Sequence, residues 1–147
     1  MTSKIISERM TFQIPGETEK VLERIWTIGG DSGWYYGTDL WKFRGWLDKI
    51  TGGIGFRKGR RDSVELIEGD QIDFWRVETA DKENRFLKLK AEMSLPGIVF
   101  LQWVIRQNEL IQTIDFIPNG WKGKAYWILV RPFHFWIFYN MGRRLVQ

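Results

Sequence analysis

The chain has 147 residues with 22 basic and 18 acidic side chains, which predicts one domain, residues 1–147, with a mild positive charge of +4. It contains no cysteine, so disulfide and thiolate chemistry are excluded and a cytoplasmic location is expected. Nine tryptophans, ten phenylalanines and four tyrosines predict either a dense aromatic core or a cavity with aromatic walls.

The amino-terminal part of the chain is predicted to form one strand and two helices. Polar and apolar residues alternate from Glu8 to Ile14, which favours a first strand. Apolar residues at helical spacing then predict a helix that ends at Gly29–Gly30. A second helix is predicted from Leu40 to Ile50. Gly52–Gly53 follow it and are a signal for the end of a helix.

From Val64 onward the hydrophobic period changes to two, which predicts antiparallel strands joined by short turns. The predicted strands are 63–67, 71–80, 85–93, 97–107 and 109–117. If Asn108–Glu109 is a two-residue turn, one apolar face of the last hairpin carries Leu101, Trp103, Ile105, Gln112, Ile114 and Phe116.

A long C-terminal helix is predicted over 121–146, where apolar residues dominate. The element order predicts an α+β domain with two short helices between strands 1 and 2. A curved antiparallel sheet is expected to wrap around the long helix, because so apolar a helix must be buried against another element.

The segment 51–61, TGGIGFRKGRR, combines four glycines with four cations. Nucleotide-binding glycine loops follow a strand and precede a helix, whereas this segment follows a predicted helix and leads into a predicted strand. We therefore interpret Arg57, Arg60 and Arg61 as a structural basic corner. No nucleic-acid-binding motif accompanies these cations, so nucleic acid is not an expected partner.

Short motifs that resemble one known family are spread over nearly the whole chain. They include Gly29–Gly30, Gly33–Trp34–Tyr35, Leu40–Trp41, Gly59–Arg60–Arg61, Trp75–Arg76–Val77, Pro96–Gly97, Tyr126–Trp127 and Pro132–Phe133–His134. Together they resemble the bacterial family Domain of Unknown Function 2867. The resemblance implies a helix-grip fold of the kind found in START lipid-transfer, Bet v 1 and polyketide-cyclase-like proteins.

The same resemblance implies a cavity for a small hydrophobic molecule between the sheet and the C-terminal helix. The family has no assigned reaction, so it supplies no catalytic residue and no cofactor. Its members are often fused to short-chain-dehydrogenase-like NAD(P)-binding domains, which suggests an NAD(P)-binding oxidoreductase as a partner.

Candidate pocket residues come from the predicted sheet and from the C-terminal helix. Asp73 shares a predicted strand face with Trp75, so we expect its carboxylate to point inward and to need a cationic partner from the basic corner. With one histidine and no cysteine, no metal site is predicted. The full set of candidates is Asp73, Trp75, Glu92, Trp103, Tyr126, Trp127, Arg131, His134 and Phe138.

The C-terminal helix is predicted to turn Trp127, Val130, Phe138 and Met141 toward the sheet. Helical geometry also places Lys124, Arg131 and His134 on one polar stripe, which we expect to face a polar rim or the polar end of a ligand. The apolar part, 125–139, is shorter than a membrane span and contains Arg131, so stable membrane insertion is not predicted.

Three functions remain open at this stage, and the binding of a small hydrophobic or lipid-like molecule is favoured over catalysis. The first alternative is a cyclase- or isomerase-like enzyme with Asp73, Glu92 or His134 as acid–base groups. The second alternative is a peripheral membrane or partner-docking domain that uses the basic segment and the aromatic helix.

Overall fold

The computed structural model of the protein describes residues 5–28, 62, 65–73, 75–92 and 96–147. The predicted second helix, 40–50, and the basic corner formed by Arg57, Arg60 and Arg61 lie outside the described residues. In the described part of the chain the strands are β1 (Ile6–Gln13), β2 (Gln71–Ile72), β3 (Trp75–Asp81), β4 (Phe86–Ala91), β5 (Gly97–Arg106) and β6 (Glu109–Pro118). The helices there are α1 (Thr18–Trp26) and α2 (Gly120–Val146).

The six strands form one antiparallel sheet in the order β1-β6-β5-β4-β3-β2. The sheet is curved, and the long helix α2 packs against β6 and β1. The predicted α+β helix-grip arrangement is confirmed. Because β1 and β2 lie at opposite edges, the two ends of the sheet are built from residues far apart in sequence.

The concave face of the last hairpin is the one predicted from the period of two. Leu101 pairs with Ile114 and Trp103 pairs with Gln112, and all four side chains are buried. The turn, however, lies at 107–108, since Arg106 pairs with Glu109. Moving the turn by one residue shifts each pairing by two positions, which leaves every side chain on its predicted face.

The predicted strand 71–80 is two strands, because the chain reverses direction between Ile72 and Trp75. Gln71 pairs with Arg76 and Ile72 pairs with Trp75. Asp73 has a φ of 52°, a left-handed conformation that aspartate tolerates better than most residues. The prediction that Asp73 shares a strand face with Trp75 is therefore wrong.

The predicted strand 63–67 is also wrong over its described part, because 65–67 do not form a strand. The chain instead enters a tight turn, in which the Asp70 amide donates to the Ile67 carbonyl oxygen at 3.1 Å. The Asp70 carboxylate accepts from the Ile67 amide at 3.0 Å, and Gly69 has a φ of 88°. These bonds favour the turn over extension of the sheet.

Helix α1 forms as predicted and buries Val21, Leu22 and Ile25. It ends at Trp26, before the predicted glycine stop signal. The Thr27 amide and hydroxyl both donate to the Glu23 carbonyl oxygen, at 3.0 and 2.9 Å, and so satisfy the last turn.

Helix α2 approaches the rest of the protein closely at two glycines. A Cβ atom at Gly123 would collide with the Pro96 carbonyl oxygen, and one at Gly142 would collide with the Phe12 ring. Between these contacts the helix continues through Pro132. The two glycines thus set the distance between α2 and the sheet.

Candidate functional site

The sheet-facing side of α2 is lined with aromatic rings. Trp127 is buried and stacks on Phe116 of β6, with ring centroids 5.0 Å apart and planes inclined by 14°. Tyr126 tilts against the same Phe116 ring at 6.3 Å. Phe138 and Met141 are also buried, so the predicted inward side of the helix is confirmed.

His134 lies in this aromatic layer. Its ring contacts Trp127 and Phe138 edge-on, with centroid distances of 5.9 Å to each. The residue is half-buried, whereas Lys124 and Arg131 are exposed. The predicted polar stripe is thus divided, because the His134 ring packs against Trp127 and Phe138, whereas the two cations are exposed.

A hydrogen-bond network joins the sheet to α2 through Gln112. The Gln112 Oε1 atom accepts from Trp103 Nε1 at 2.7 Å, and its Nε2 atom donates to the Phe138 carbonyl oxygen at 2.9 Å. Gln112 is fully buried. Sequence reasoning assigned it no role, although a lone amide on an apolar strand face is a signal that a buried partner exists.

Trp127 differs from Trp103 in whether its indole N–H has a hydrogen-bond acceptor. The Trp127 side chain is only 2% exposed, yet its Nε1 atom has no hydrogen-bond partner within the described part of the chain. A buried donor without an acceptor costs about 1–3 kcal/mol, and native structures rarely leave one so. An acceptor atom on a bound molecule would recover this free energy.

Glu8 is a partly buried acidic residue near the same part of α2, and its side chain is 11% exposed. It lies on the concave face of β1, opposite Ile114, and its Oε1 atom accepts from Arg131 Nε at 2.6 Å. Its Oε2 atom is buried and makes no hydrogen bond to the described residues. Sequence reasoning missed Glu8, although the alternation along β1 places it on the face that carries Met10 and Phe12.

A groove of about 580 Å³ opens beside the Glu8–Arg131 ion pair. The ion pair forms part of its wall, with β1 on one side and α2 on the other. Its volume lies within the range of about 300–1,000 Å³ that is typical of small-molecule sites. We call it the β1–α2 groove, and its lining residues are Ser7, Glu8, Arg9, Met10, Arg131, Pro132 and Phe135.

The candidate carboxylates Asp73 and Glu92 have separate surroundings. Asp73 is buried in the turn between β2 and β3, and its expected basic partners lie outside the described residues. Glu92 is half-exposed and pairs with Arg76 at 3.0 Å. Asp70 accepts the Ile67 amide within its own turn. Over the described ranges, no group of three or more histidine and acidic side chains could hold a metal ion.

The predicted pocket residues therefore fall into two groups. Tyr126, Trp127, His134 and Phe138 lie together along α2, and Trp103 joins them through Gln112. The others are separated from this group. Trp75 and Asp73 belong to the opposite end of the sheet, Glu92 follows β4, and Arg131 is 63% exposed at the rim.

Comparisons with known proteins agree with this architecture. The family described as "Protein of unknown function (DUF2867)" matches residues 6–141. No curated protein matches the chain in sequence.

Three solved structures resemble the fold. Ginseng major latex-like protein 151 from Panax ginseng has a TM-score of 0.59 at 10% identity, covering 97% of this chain and 95% of that chain. Truncated norcoclaurine synthase from Thalictrum flavum has a TM-score of 0.54 at 10% identity, with coverages of 99% and 94%. The same synthase in complex with dopamine and hydroxybenzaldehyde has a TM-score of 0.51 at 9% identity, with coverages of 99% and 86%. These likenesses show a Bet v 1-like fold.

Proposed function

The chain belongs to the DUF2867 family of proteins of unknown function and has a Bet v 1-like fold, and we propose that it binds a small hydrophobic or lipid-like molecule. The ligand lies between the sheet and the amino-terminal half of α2, next to Trp127. We expect the ligand to enter through the β1–α2 groove, because α2 forms one wall of that groove at Arg131, Pro132 and Phe135.

The single observation that carries this proposal is the buried indole N–H of Trp127, which has no acceptor among the described residues. The neighbouring indole of Trp103 has its acceptor in Gln112. The same fold thus satisfies one indole fully and leaves the other available. A bound carbonyl or ether oxygen would supply the missing acceptor.

The side chains around Trp127 indicate which kind of ligand would fit there. The rings of Phe116, Tyr126 and Phe138 provide apolar and aromatic walls, which favour an apolar body. His134 adds one titratable group beside the Trp127 ring. The synthase of the same fold that holds dopamine and hydroxybenzaldehyde supports a ligand of small aromatic size.

Native mass spectrometry of the purified protein tests the proposal directly, because a tightly bound molecule would add a defined mass. Titration with the uncharged fluorescent probe N-phenylnaphthylamine is the second measurement. We expect saturable binding with about one probe per chain, as for a single pocket. Probe binding that never saturates, together with an unmodified mass, would contradict a defined pocket.

The role of the Trp127 N–H is tested with Trp127→Phe, which keeps a smaller aromatic ring and removes the donor. Decanone and decane are compared as competitors of the probe. The affinity ratio of ketone to hydrocarbon should fall about three- to tenfold in the variant, the value of one net hydrogen bond. Trp121→Phe, at a tryptophan that is 74% exposed, is the matched control and should leave the ratio unchanged.

A further inference from the structure

The side of α2 that faces away from the sheet exposes large apolar side chains. Leu129 is 73% exposed and Trp136 is 51% exposed, and they lie near the middle of that side. We call this surface the outer face of α2. It consists of Trp121, Ile128, Leu129, Phe133 and Trp136, whose exposed fractions range from 51% to 74%.

The outer face gives α2 an unusual distribution of hydrophobicity. A helix at the surface of a globular protein normally has one apolar stripe and one polar face, whereas an all-round apolar helix is buried on every side. The inner stripe of α2 is covered by the sheet through Trp127, Phe138 and Met141. A contiguous exposed apolar surface of this kind marks an interaction site.

The charges of α2 indicate what kind of surface it meets. The helix contains five basic residues and no acidic residue over Gly120–Val146. Lys122 and Lys124 are exposed near its start, and Arg143 and Arg144 are exposed in its last turn. Cations therefore flank the outer face at both ends, which is complementary to an anionic surface.

We propose that the outer face of α2 docks on an anionic phospholipid bilayer, with the helix lying along the interface. Tryptophan is enriched at the boundary between lipid headgroups and acyl chains, where Trp121 and Trp136 would sit beside the more deeply placed Leu129 and Phe133. The exposed lysines and arginines would contact lipid phosphates. In the part of the chain that the structure describes, no helix has the length and hydrophobicity needed to cross a bilayer.

A second copy of the chain fits the outer face less well. Two copies packed through α2 would bring their basic residues together without any acidic residue of either helix between them, and like charges across an interface oppose association. An anionic bilayer removes this repulsion. Docking goes beyond ligand binding and does not depend on it, because the outer face and Trp127 lie on opposite sides of the helix.

Co-sedimentation with vesicles of two compositions tests docking: phosphatidylcholine alone, and phosphatidylcholine mixed with phosphatidylglycerol. We expect the protein to bind the anionic vesicles more tightly, with an affinity that falls as salt rises. Leu129→Glu combined with Trp136→Glu should weaken this binding by at least about tenfold, because apolar contact is lost and negative charge is added. Ile67→Glu, at a 55% exposed isoleucine outside α2, is the matched control and should bind like the natural protein.

A second variant isolates the electrostatic part. Lys122→Glu combined with Lys124→Glu should weaken binding to anionic vesicles at low salt and reduce its salt dependence. Equal binding of the natural protein and the Leu129→Glu/Trp136→Glu variant, or no binding to anionic vesicles at low salt, would overturn the proposal. A concentration-dependent dimer that Leu129→Glu abolishes would also overturn it in favour of self-association. The same variants should still bind the fluorescent probe saturably. A loss of vesicle binding can therefore be told apart from a failure of the ligand site.

Discussion

The two halves of α2 contact the rest of the protein in different ways. Beyond Ile137 the helix is anchored by hydrogen bonds from outside it: Gln112 donates to the Phe138 carbonyl oxygen, and Arg24 donates to the Leu145 carbonyl oxygen at 2.9 Å. Its buried residues there are Phe138, Met141, Gly142, Leu145 and Val146. Before Ile137 only Gly123 and Trp127 are buried.

The carboxyl-terminal half of α2 is therefore a structural half, whereas the amino-terminal half lies beside polar groups without hydrogen-bond partners among the described residues. Near the carboxyl-terminal half, the buried amide of Gln112 and the indole of Trp103 satisfy each other. Near the amino-terminal half, Trp127 Nε1 and Glu8 Oε2 are buried without partners among the described residues, and the outer face is exposed. Local departures from the usual rules of packing are concentrated where proteins bind other molecules.

The largest expected effect is on stability at the structural half. Trp103→Ala should lower the free energy of unfolding by about 3–5 kcal/mol, because a fully buried ring is removed and Gln112 loses its donor. Trp121→Ala, at the exposed start of α2, should change it by less than about 0.5 kcal/mol. Chemical denaturation measures both, and similar values for the two variants would remove the distinction between the halves.

Gln112→Leu should have the next largest effect. The change leaves the Trp103 N–H without its acceptor and removes the side-chain donor to the Phe138 carbonyl oxygen, so we expect a loss of about 2–4 kcal/mol in the free energy of unfolding. Gln102→Leu, on the opposite face of the sheet, is the control and should be close to neutral. An unchanged midpoint of chemical denaturation in Gln112→Leu would show that the hydrogen-bond network contributes little to the free energy of unfolding.

Gly142→Ala tests the close approach of α2 to β1. Alanine normally favours a helix, but its Cβ would collide with the Phe12 ring, so we expect a loss of about 1–3 kcal/mol in the free energy of unfolding. Phe12→Leu removes the ring and should make the second change less costly. A double-mutant cycle measures this coupling, and additive effects would show that the contact is not responsible.

Much of the fold follows from periodicity, and the sites where it fails have specific physical causes. Alternation correctly placed Leu101, Trp103, Ile114 and Phe116 on the concave face, because a shift of two residues preserves the face. It failed at Asp73 because the chain reverses between Ile72 and Trp75. These two residues pair and share a face, whereas alternation along one strand would place them on opposite faces. No glycine or proline within 71–80 marks that reversal in the sequence.

The candidate site was harder to predict, since its residues meet only in three dimensions. Helical spacing identified Trp127, Phe138 and Met141 as inward, and the structure confirms this. The pairing of Gln112 with Trp103, and of Glu8 with Arg131, joins separate elements. Which indole has an acceptor depends on these tertiary contacts, so composition alone could not distinguish Trp103 from Trp127.

The smallest expected effect on stability is at the half with unsatisfied groups. Trp127→Phe keeps part of the buried ring system and removes a donor that has no partner among the described residues, so the free energy of unfolding should change by less than about 1 kcal/mol. Trp103→Phe removes the hydrogen bond from Trp103 to Gln112 and should lower the free energy of unfolding by more. Equal losses in the two variants, measured by denaturation, would contradict the assignment of the free donor to Trp127.

The most direct test of the account is the indole N–H spectrum of ¹⁵N-labelled protein during titration with decanone. Nine tryptophans give nine indole signals, and Trp127→Phe and Trp103→Phe assign the two that matter. We predict that the Trp127 signal moves saturably as the ketone supplies its acceptor, while the Trp103 signal stays in place because Gln112 already holds it. A Trp127 signal that stays still while the probe is displaced, or a Trp103 signal that moves equally, would contradict the proposed site.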